Sequence, residues 1–439
     1  MFSRVIILFT AFCLIGAAHP AVAAQGGPGA PVAAAHFNIE EATEAYMATL
    51  PPAALAKSNA YFEGGYWLTL WDTVVATAVA WLLLARKWSL RMRVAAERWT
   101  RRRWLQTGLY AAQYIVIVAL LTLPWNAYEG FFREHQYNMS NQTLAGWLSD
   151  QGKGLIISLI IGCILAVSIY AVIRKAPRTW WLWGAVVTMM VFVFQVAISP
   201  TYLEPVFNQF YPLPDSALKQ DILSLARANG IPARQVYEYD ASKQTTKVSA
   251  HVSGLFGSAQ ISLNDNLINS ATPEEIKAVL GHEMGHYVLN HGYKFMAPVF
   301  IIVVAGFALL QWGYVRLEPW LIRWGVGPVT DVAGMPALIA IFGIYLFVLT
   351  PVFNTLIRTA EAEADAFGLN AARQPDGAAQ AALQLSQYRK MHPGALEEFL
   401  FYDHPSGWNR IHQAMVWKAE NVTTADIAAY DAVHHPPGE

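Results

Sequence analysis

Two histidines and a glutamate near the middle of the chain have a spacing that suits metal-dependent hydrolysis. The segment reads His282-Glu283-Met284-Gly285-His286. Residues four apart lie on one face of an α-helix, so the two imidazoles can bind one metal ion. Glu283 then lies beside the ion, where it can take a proton from an attacking water. The pattern predicts a zinc peptidase; the alternative is a chance match on a solvated helix.

The residues before this motif predict the helix that it needs. Thr272-Pro273-Glu274-Glu275 is a capping box with proline at the first helical position, so we expect a helix from Pro273 through His286. Upstream, one further helix and two short alternating strands are predicted at residues 215–229, 235–240 and 259–263. The polar stretch 242–254 between the two strands reads as a strand or a loop.

A third metal ligand must come from elsewhere in the chain, because catalytic zinc takes three protein ligands and keeps one position open. The two cysteines, Cys13 and Cys163, lie in apolar runs and offer no cysteine site. Position 292, where some zinc peptidases place a third histidine, is Gly292. His291 is expected off the metal face, as a polar residue at a helix end.

The acidic segment Glu361-Ala362-Glu363-Ala364-Asp365 offers the best third ligand. Glu361 and Asp365 share a helical face one turn apart, and Glu363 points to another face. Glu361 could bind the zinc while Asp365 accepts a hydrogen bond from a ligand histidine and fixes its ring. The alternative is an ordinary exposed acidic helix start.

The composition places this chemistry in a membrane protein. Of the 439 residues, 55% are hydrophobic and 14% are charged, and the formal net charge of -1 gives no basic excess for a nucleic-acid partner. The surplus apolar surface needs a lipid bilayer. Six apolar runs are long enough to cross it: residues 67–85, 108–123, 155–173, 180–198, 295–315 and 335–353.

Charge around these runs predicts their orientation. Residues 1–23 combine a basic start, a short apolar core and an Ala-Val-Ala site, which indicates a signal peptide or an uncleaved first membrane helix. Arginine-rich loops follow the first and third runs, and by the positive-inside rule they are cytoplasmic. We therefore expect a bacterial inner-membrane protein with its catalytic residues on the periplasmic face.

Together these patterns predict a mainly α, polytopic helical membrane protein. Its zincin-like metallopeptidase domain, an active-site helix with a small β-sheet, is split by two membrane spans. The expected order is an extracytoplasmic segment, four spans, the first catalytic part, two spans and the second catalytic part, at residues 24–66, 67–198, 199–294, 295–353 and 354–439. Helical patterns in the last part cover residues 358–372, 376–391 and 408–420.

Several motifs of the chain resemble the type I CAAX prenyl endopeptidases, membrane zinc proteases related to the bacterial heat-shock membrane peptidases. The resemblance runs from about Leu121 onward. It rests on Leu123-Pro124-Trp125, Asn141-Gln142-Thr143-Leu144, the proline-rich stretch 202–214, and the two catalytic motifs with two spans between them. It implies one Zn²⁺ per chain held by His282, His286 and Glu361, with Asp365 orienting a histidine.

Two more features follow from this resemblance. His404-Pro405 with Arg410 is similar to the family's late His-Pro-x-x-x-x-Arg pattern, which implies that His404 and Arg410 approach substrate or the tetrahedral intermediate. The alternative is a capping turn with a surface arginine. Where the family has Asn-Ala before a glycine, this chain has Ser249-Ala250 before Gly254, so Ser249 is a departure. The surrounding strand could pair with extended substrate.

The predicted function is hydrolysis of peptide or protein substrates, with or without an attached lipid, by zinc-activated water with Glu283 as base. An extracytoplasmic site favours membrane or secreted proteins in quality control, whereas the resemblance favours prenylated C-terminal peptides. A catalytically silent membrane scaffold or transporter that retains a metal site is the rival. Such a protein should carry charges along its spans, and these offer little beyond Asp72.

Overall fold

Long helices dominate the computed structural model, which describes residues 37–254 and 259–422. The prediction of a mainly helical membrane protein with a small sheet is confirmed. The run 1–23, predicted as a signal peptide or first membrane helix, lies outside the described residues.

The described helices, in chain order, are α1 (Ile39–Ala48), α2 (Pro52–Ala85), α3 (Trp88–Trp99), α4 (Arg103–Ala127), α5 (Arg133–Gln136), α6 (Leu144–Lys175), α7 (Trp180–Ile198), α8 (Glu204–Phe207), α9 (Ala217–Ala228), α10 (Asp265–Ser270), α11 (Pro273–Val288), α12 (His291–Arg323), α13 (Met335–Val348), α14 (Thr350–Ala372), α15 (Pro375–Gln384), α16 (Ala395–Phe401) and α17 (Gly407–Asn421). The π-helical turns Tyr128–Phe132 and Ser199–Leu203 connect α4 to α5 and α7 to α8. Single 3₁₀ turns cover Ala241–Lys243, Val332–Gly334 and Leu385–Gln387.

Five of the described helical segments are long and apolar enough to cross a membrane: Pro52–Ala85, Arg103–Gln136, Leu144–Lys175, Trp180–Phe207 and His291–Arg323. A sixth crossing exists if Val332–Val348 and Thr350–Ala372, which are bent by 53°, form one span. The bend falls just before Pro351, whose ring cannot continue the hydrogen bonding of the preceding helix. These segments correspond to the six predicted runs.

Helix α2 begins 15 residues before the apolar run that predicts it, at Pro52 rather than Trp67. Proline at the first helical position starts the helix, and Ser58 and Tyr66 then lie on its extension. Ser58 donates a hydrogen bond to the carbonyl of Arg389 at 2.9 Å, and Tyr66 donates to Glu397 at 2.8 Å. The first span is therefore bonded directly to the last part of the chain.

The arginine-rich segment after α2, expected to be a loop, folds as helix α3. Its Met92 and Ala96 are buried against the neighbouring membrane helices, while two of its three arginines are exposed. Ser89 donates to the carbonyl of Ala333 at 2.6 Å, and Arg93 is ion-paired with Asp331. Helix α3 and the loop between α12 and α13 thus lie at the same end of the helix bundle.

The part of the chain between the membrane helices α7 and α12 forms a four-stranded sheet. Its strands are β1 (Phe210–Pro212), β2 (Val236–Tyr239), β3 (Ala250–Ser253) and β4 (Gln260–Asn264), in the spatial order β1-β2-β4-β3. Strand β2 is antiparallel to β1 and parallel to β4, and β3 is antiparallel to β4. In the described chain β3 therefore lies at one edge of the sheet.

Helix α15 ends at Gln384, before the predicted end at residue 391. The backbone carbonyls that follow have partners outside the helix. Ser58 donates to the carbonyl of Arg389, Tyr402 to that of Lys390 at 2.8 Å, and the Trp408 amide to that of Met391 at 3.0 Å. Because these carbonyls accept hydrogen bonds from elsewhere, residues 389–391 can lie outside the helix without leaving the carbonyls unpaired.

Candidate metal centre and active site

Helix α11 carries the His-Glu-x-x-His motif and begins as the capping box predicts. Thr272 accepts a hydrogen bond from the Glu275 amide at 3.3 Å, and Glu275 accepts one from the Thr272 amide at 2.6 Å. Leu280 and Met284 are fully buried in the core that α11 shares with the sheet. This packing fixes the rotation of the helix and turns His282 and His286 toward α14.

Two glycines allow α11 and α14 to approach closely. A Cβ on Gly285 would lie 3.1 Å from the Cα of Ala364, and a Cβ on Gly368 would lie 2.7 Å from the backbone nitrogen of His282. Neither contact leaves room for a side chain. The close approach lets Glu361 reach the two histidines from the facing helix.

The side-chain atoms of His282, His286 and Glu361 converge on one point. The Nε2 atoms of the two histidines are 3.1 Å apart. Glu361 Oε2 lies 3.1 Å from His282 Nε2, and Glu361 Oε1 lies 3.4 Å from His286 Nε2. Ligands 2.0–2.1 Å from a tetrahedral ion are separated by about 3.3–3.4 Å. The three atoms therefore have the spacing of one face of a tetrahedral metal site.

Hydrogen bonding around His282 suits a cation at this point. Its Nδ1 lies 2.8 Å from Asp365 Oδ1 and donates to it, so the proton that His282 can give up to a metal is the one on Nε2. Burial lowers the pKa of His282, but Asp365 and Glu361 outweigh burial and raise it to about 10. The centre thus concentrates negative charge around buried nitrogen and oxygen acceptors, which a metal ion would satisfy.

Glu283 lines a cavity of about 200 Å³ that also contains His282, Asp365, His404 and Arg410. Burial raises the pKa of its carboxyl, and the nearby histidines offset only part of that effect. A carboxylate with a raised pKa is suited to accept and return a proton near neutral pH.

His404 and Arg410 both lie near the three converging side chains, but they contact different residues. His404 Nε2 lies 3.2 Å from Glu361 Oε2, and its Nδ1 lies 2.7 Å from Asp403 Oδ1. Arg410 donates through Nε to Asp365 Oδ2 at 2.9 Å and through Nη2 to Oδ1 at 2.5 Å. Arg410 therefore lies behind the His282–Asp365 pair, and its predicted contact with substrate stays a prediction.

Ser249 and Gly254 flank strand β3. Ser249 lines the catalytic cavity; its amide donates to Asn264 Oδ1 at 3.0 Å, and its carbonyl accepts from the Asn264 amide at 2.9 Å. Gly254 has φ +147°, a conformation that favours glycine, at the end of the strand. Their predicted contacts with substrate are not part of this geometry and stay predictions.

His291 lies at a helix end and is not one of the three converging ligands, as expected, but its surroundings are not those of an exposed polar residue. His291 is almost fully buried, and its Nδ1 lies 2.9 Å from Nδ1 of His286. Its Nε2 lies 3.0 Å from Glu363. No local sequence pattern marks this arrangement: it depends on Asn290, between α11 and α12, which takes a left-handed conformation with φ +58°.

Comparison with known proteins agrees with this site. Residues 212–418 match the family described as Peptidase family M48, and residues 35–209 match the family described as CAAX prenyl protease N-terminal, five membrane helices. A Bacillus subtilis protein named uncharacterized metalloprotease YhfN is 32% identical over 317 residues, which are 71% of this chain and 74% of that protein. The chain belongs to peptidase family M48. It is an integral-membrane metalloendopeptidase.

More distant relatives share parts of the chain. CAAX prenyl protease 1 of Saccharomyces cerevisiae is 36% identical over 174 residues, which are 39% of this chain and 38% of that protein. A homolog of that protease from Arabidopsis thaliana is 28% identical over 318 residues, covering 69% and 71% of the two chains. The crystal structure of S. mikatae Ste24p has the same fold, with a TM-score of 0.71 at 22% identity over 86% of this chain and 94% of that one.

Proposed function

We propose that the metal of this M48 peptidase is a single Zn²⁺ held by His282, His286 and Glu361. The donor set of two imidazoles and one carboxylate at tetrahedral spacing supports zinc in a catalytic site with one open position. Asp365 orients His282 through its Nδ1. The convergence of these three ligand atoms on one point carries the proposal.

In this proposal Glu283 is the general base. Zinc supplies the Lewis acidity that polarises a peptide carbonyl and lowers the pKa of water. Glu283 takes a proton from the attacking water and returns it to the nitrogen of the leaving group, and its raised pKa suits both transfers. A doubly protonated His404, with Nδ1 held by Asp403, would donate from Nε2 to the negative charge that develops on the carbonyl oxygen.

We further propose that extended substrate lies along β3. This strand has a sheet partner on one side only in the described chain, and Ser249 at its start lines the catalytic cavity. Adding a substrate strand to this edge would align a peptide bond over the three ligands. Ser249 and Gly254 would then contact substrate backbone, with Arg410 nearby.

The domain order and orientation form part of the proposal. The catalytic domain is split at residues 199–294 and 354–439 by the spans between them, and we place it on the periplasmic face of a bacterial inner membrane. Helix α3 contacts the loop before α13, so the arginine-rich segment and that loop lie at the same end of the helix bundle, on one side of the membrane. By the positive-inside rule that side is cytoplasmic.

The proposed substrates are membrane or secreted proteins subject to quality control, since a periplasmic site does not meet cytoplasmic prenyl proteins. The names of the yeast and plant relatives favour prenylated C-terminal peptides as a second candidate. Purified protein should be assayed on a denatured protein and on matched prenylated and unprenylated peptides. Cleavage of the prenylated peptide, with no cleavage of the denatured protein or the unprenylated peptide, would overturn the quality-control assignment.

Glu283→Gln tests the mechanism. The variant keeps the volume of the side chain and the three proposed ligands, so it should bind zinc like the wild type while losing about 10²–10⁴-fold in cleavage rate. Glu274→Gln, on the first turn of the same helix, is the control and should cleave normally. Cleavage by zinc-loaded Glu283→Gln at the wild-type rate would refute Glu283 as the base.

A further inference from the structure

A chain of hydrogen bonds lies behind the second histidine of the motif. His286 Nδ1 is 2.9 Å from His291 Nδ1, and His291 Nε2 is 3.0 Å from Glu363 Oε2. The His291 side chain is 2% exposed and the Glu363 side chain is 45% exposed. These hydrogen bonds therefore connect the proposed metal site, through the buried imidazole of His291, to the carboxylate of Glu363 at the surface.

The two ends of this hydrogen-bonded series, His286 on α11 and Glu363 on α14, belong to the helices that carry the proposed ligands. His291 is the first residue of α12, and the left-handed Asn290 turns that helix so that His291 faces back toward α11. Glu363 lies on α14, two residues after Glu361. Helix α14 thus supplies both the proposed ligand Glu361 and the last residue of the hydrogen-bonded series, Glu363.

The chemistry of the groups fixes the direction of each hydrogen bond. The Glu363 carboxylate accepts a bond from Lys294 Nζ at 2.8 Å and is ionised, so it can only accept from His291 Nε2. The Nδ1 of a neutral His291 must then accept, and the Nδ1 of His286 must donate. This leaves a lone pair on His286 Nε2, which lies 3.1 Å from His282 Nε2 and 3.4 Å from Glu361 Oε1.

The two ligand histidines are supported differently. His282 bonds directly to Asp365, a buried carboxylate that Arg410 holds through two nitrogens. Among the described residues, the contact at His286 Nδ1 is not a carboxylate but His291, whose own partner Glu363 is half exposed and shared with Lys294. The orientation of His286 therefore depends on an intermediate ring.

We propose that His291 is a positioning residue that fixes the tautomer and ring angle of His286, and that Glu363 holds His291 in that role. The inference rests on the proposed metal centre and adds two residues that do not touch the ion. Partners of this kind commonly change metal affinity by about 10–100-fold when they are removed. His291 contacts the ligand directly, so its loss should have a larger effect than the loss of Glu363.

The test is the zinc affinity of the purified full-length protein, measured by competition with chelators of known strength at one pH. His291→Leu should weaken binding by about 10–100-fold. His291→Gln, whose amide oxygen can accept from His286 Nδ1, should recover most of that loss. Glu363→Ala should weaken binding by about tenfold. The d–d absorption of Co²⁺-loaded His291→Leu should differ from that of the wild type, because the ring of a ligand has moved.

Asp221→Ala is the matched control for Glu363→Ala. Asp221 is 49% exposed and pairs with Lys277 at 2.7 Å, much as Glu363 is 45% exposed and pairs with Lys294 at 2.8 Å. Its loss should leave zinc affinity unchanged. If His291→Leu does not fold, Glu363→Ala decides the question, since its half-exposed side chain can be removed without opening the core.

Unchanged zinc affinity in Glu363→Ala and in folded His291→Leu would overturn the inference while leaving the metal centre intact. Equal losses in Glu363→Ala and Asp221→Ala would also overturn it. Wild-type protein that takes up no zinc would refute the proposed metal centre itself, and with it the role given to His291.

Discussion

Arg410 and Asp365 form a two-pronged ion pair directly behind His282. The pair is mostly buried, with side-chain exposures of 17% and 10%, and the arginine comes from α17 whereas the aspartate comes from α14. Burial lowers the pKa of Arg410, but Asp365 outweighs that effect and raises it, so the arginine stays charged. The ion pair joins α17, the last helix that the structure describes, to the first proposed metal ligand.

Arg410→Ala should destabilise the protein and loosen the metal centre together. Removing the guanidinium leaves a buried aspartate without its main partner, which costs about 3–5 kcal/mol in comparable pairs. Arg410→Lys should recover only part of the loss, because an ammonium group cannot bond both oxygens in the same plane. Chemical unfolding in detergent and zinc competition would measure the two effects. Full recovery by lysine would contradict the two-pronged role.

Lys277→Ala is the control for this prediction. Lys277 also pairs with an aspartate, Asp221, but that partner is half exposed. Exposed pairs contribute at most about 1 kcal/mol, so this variant should unfold close to the wild type. A loss as large as that of Arg410→Ala would show that the assay does not distinguish buried pairs from exposed ones.

Gly368→Ala should reduce metal affinity without touching any proposed ligand. The added methyl group would meet the backbone nitrogen of His282 at 2.7 Å, so α11 and α14 must separate by several tenths of an ångström. Glu361 would then move away from both histidines. We expect a loss of about tenfold or more in zinc affinity, the size seen when ligand positioning is disturbed. Gly152→Ala, with no atom within 4 Å of the new Cβ, should have no effect.

Zinc affinity should rise with pH. In the metal-free protein the pKa of His282 is about 10, so metal uptake at neutral pH must release a proton and apparent affinity should increase by about tenfold per pH unit. By the same shift, the metal-free protein should lose stability as pH rises from about 6.5 to about 10. Asp365→Asn should flatten both dependences. A pH-independent zinc affinity in the wild type would contradict this account.

Cysteine labelling would determine the orientation of the catalytic domain. In a background with Cys13→Ser and Cys163→Ser, Ala228→Cys places one exposed thiol at the end of α9 in the catalytic region. Arg101→Cys places another in the arginine-rich segment. An impermeant maleimide applied to spheroplasts should label position 228 at once and position 101 only after lysis. The reverse pattern would place the catalytic domain in the cytoplasm and favour prenylated substrates.

Local signals were enough to predict α11 and the shared face of Glu361 and Asp365. The capping box and the four-residue spacing depend on neighbours in the chain, and these are readable without tertiary structure. The separation of Glu361 from His282 by two spans offers no such local signal. The link between them was a hypothesis from the residue types, which the family resemblance strengthened, and the roles of the two residues remain proposals.

Other features depend on contacts that no local pattern contains. The burial of His291 follows from the left-handed backbone of one residue, Asn290, and a sequence window cannot distinguish that from an ordinary helix end. The early end of α15 depends on Ser58 and Tyr402, which are distant in sequence. Helix α3 has too short an apolar face to stand out against its arginines.

The extension of α2 beyond the apolar run has a mechanical consequence. Ser58 and Tyr66 on that extension are bonded to the segment that includes Arg389, and Arg389 lines the catalytic cavity. Because a helix is stiff along its axis, any tilt that α2 takes to match the thickness of the bilayer also displaces the wall of the cavity. A change in lipid composition should therefore change the shape of the catalytic cavity.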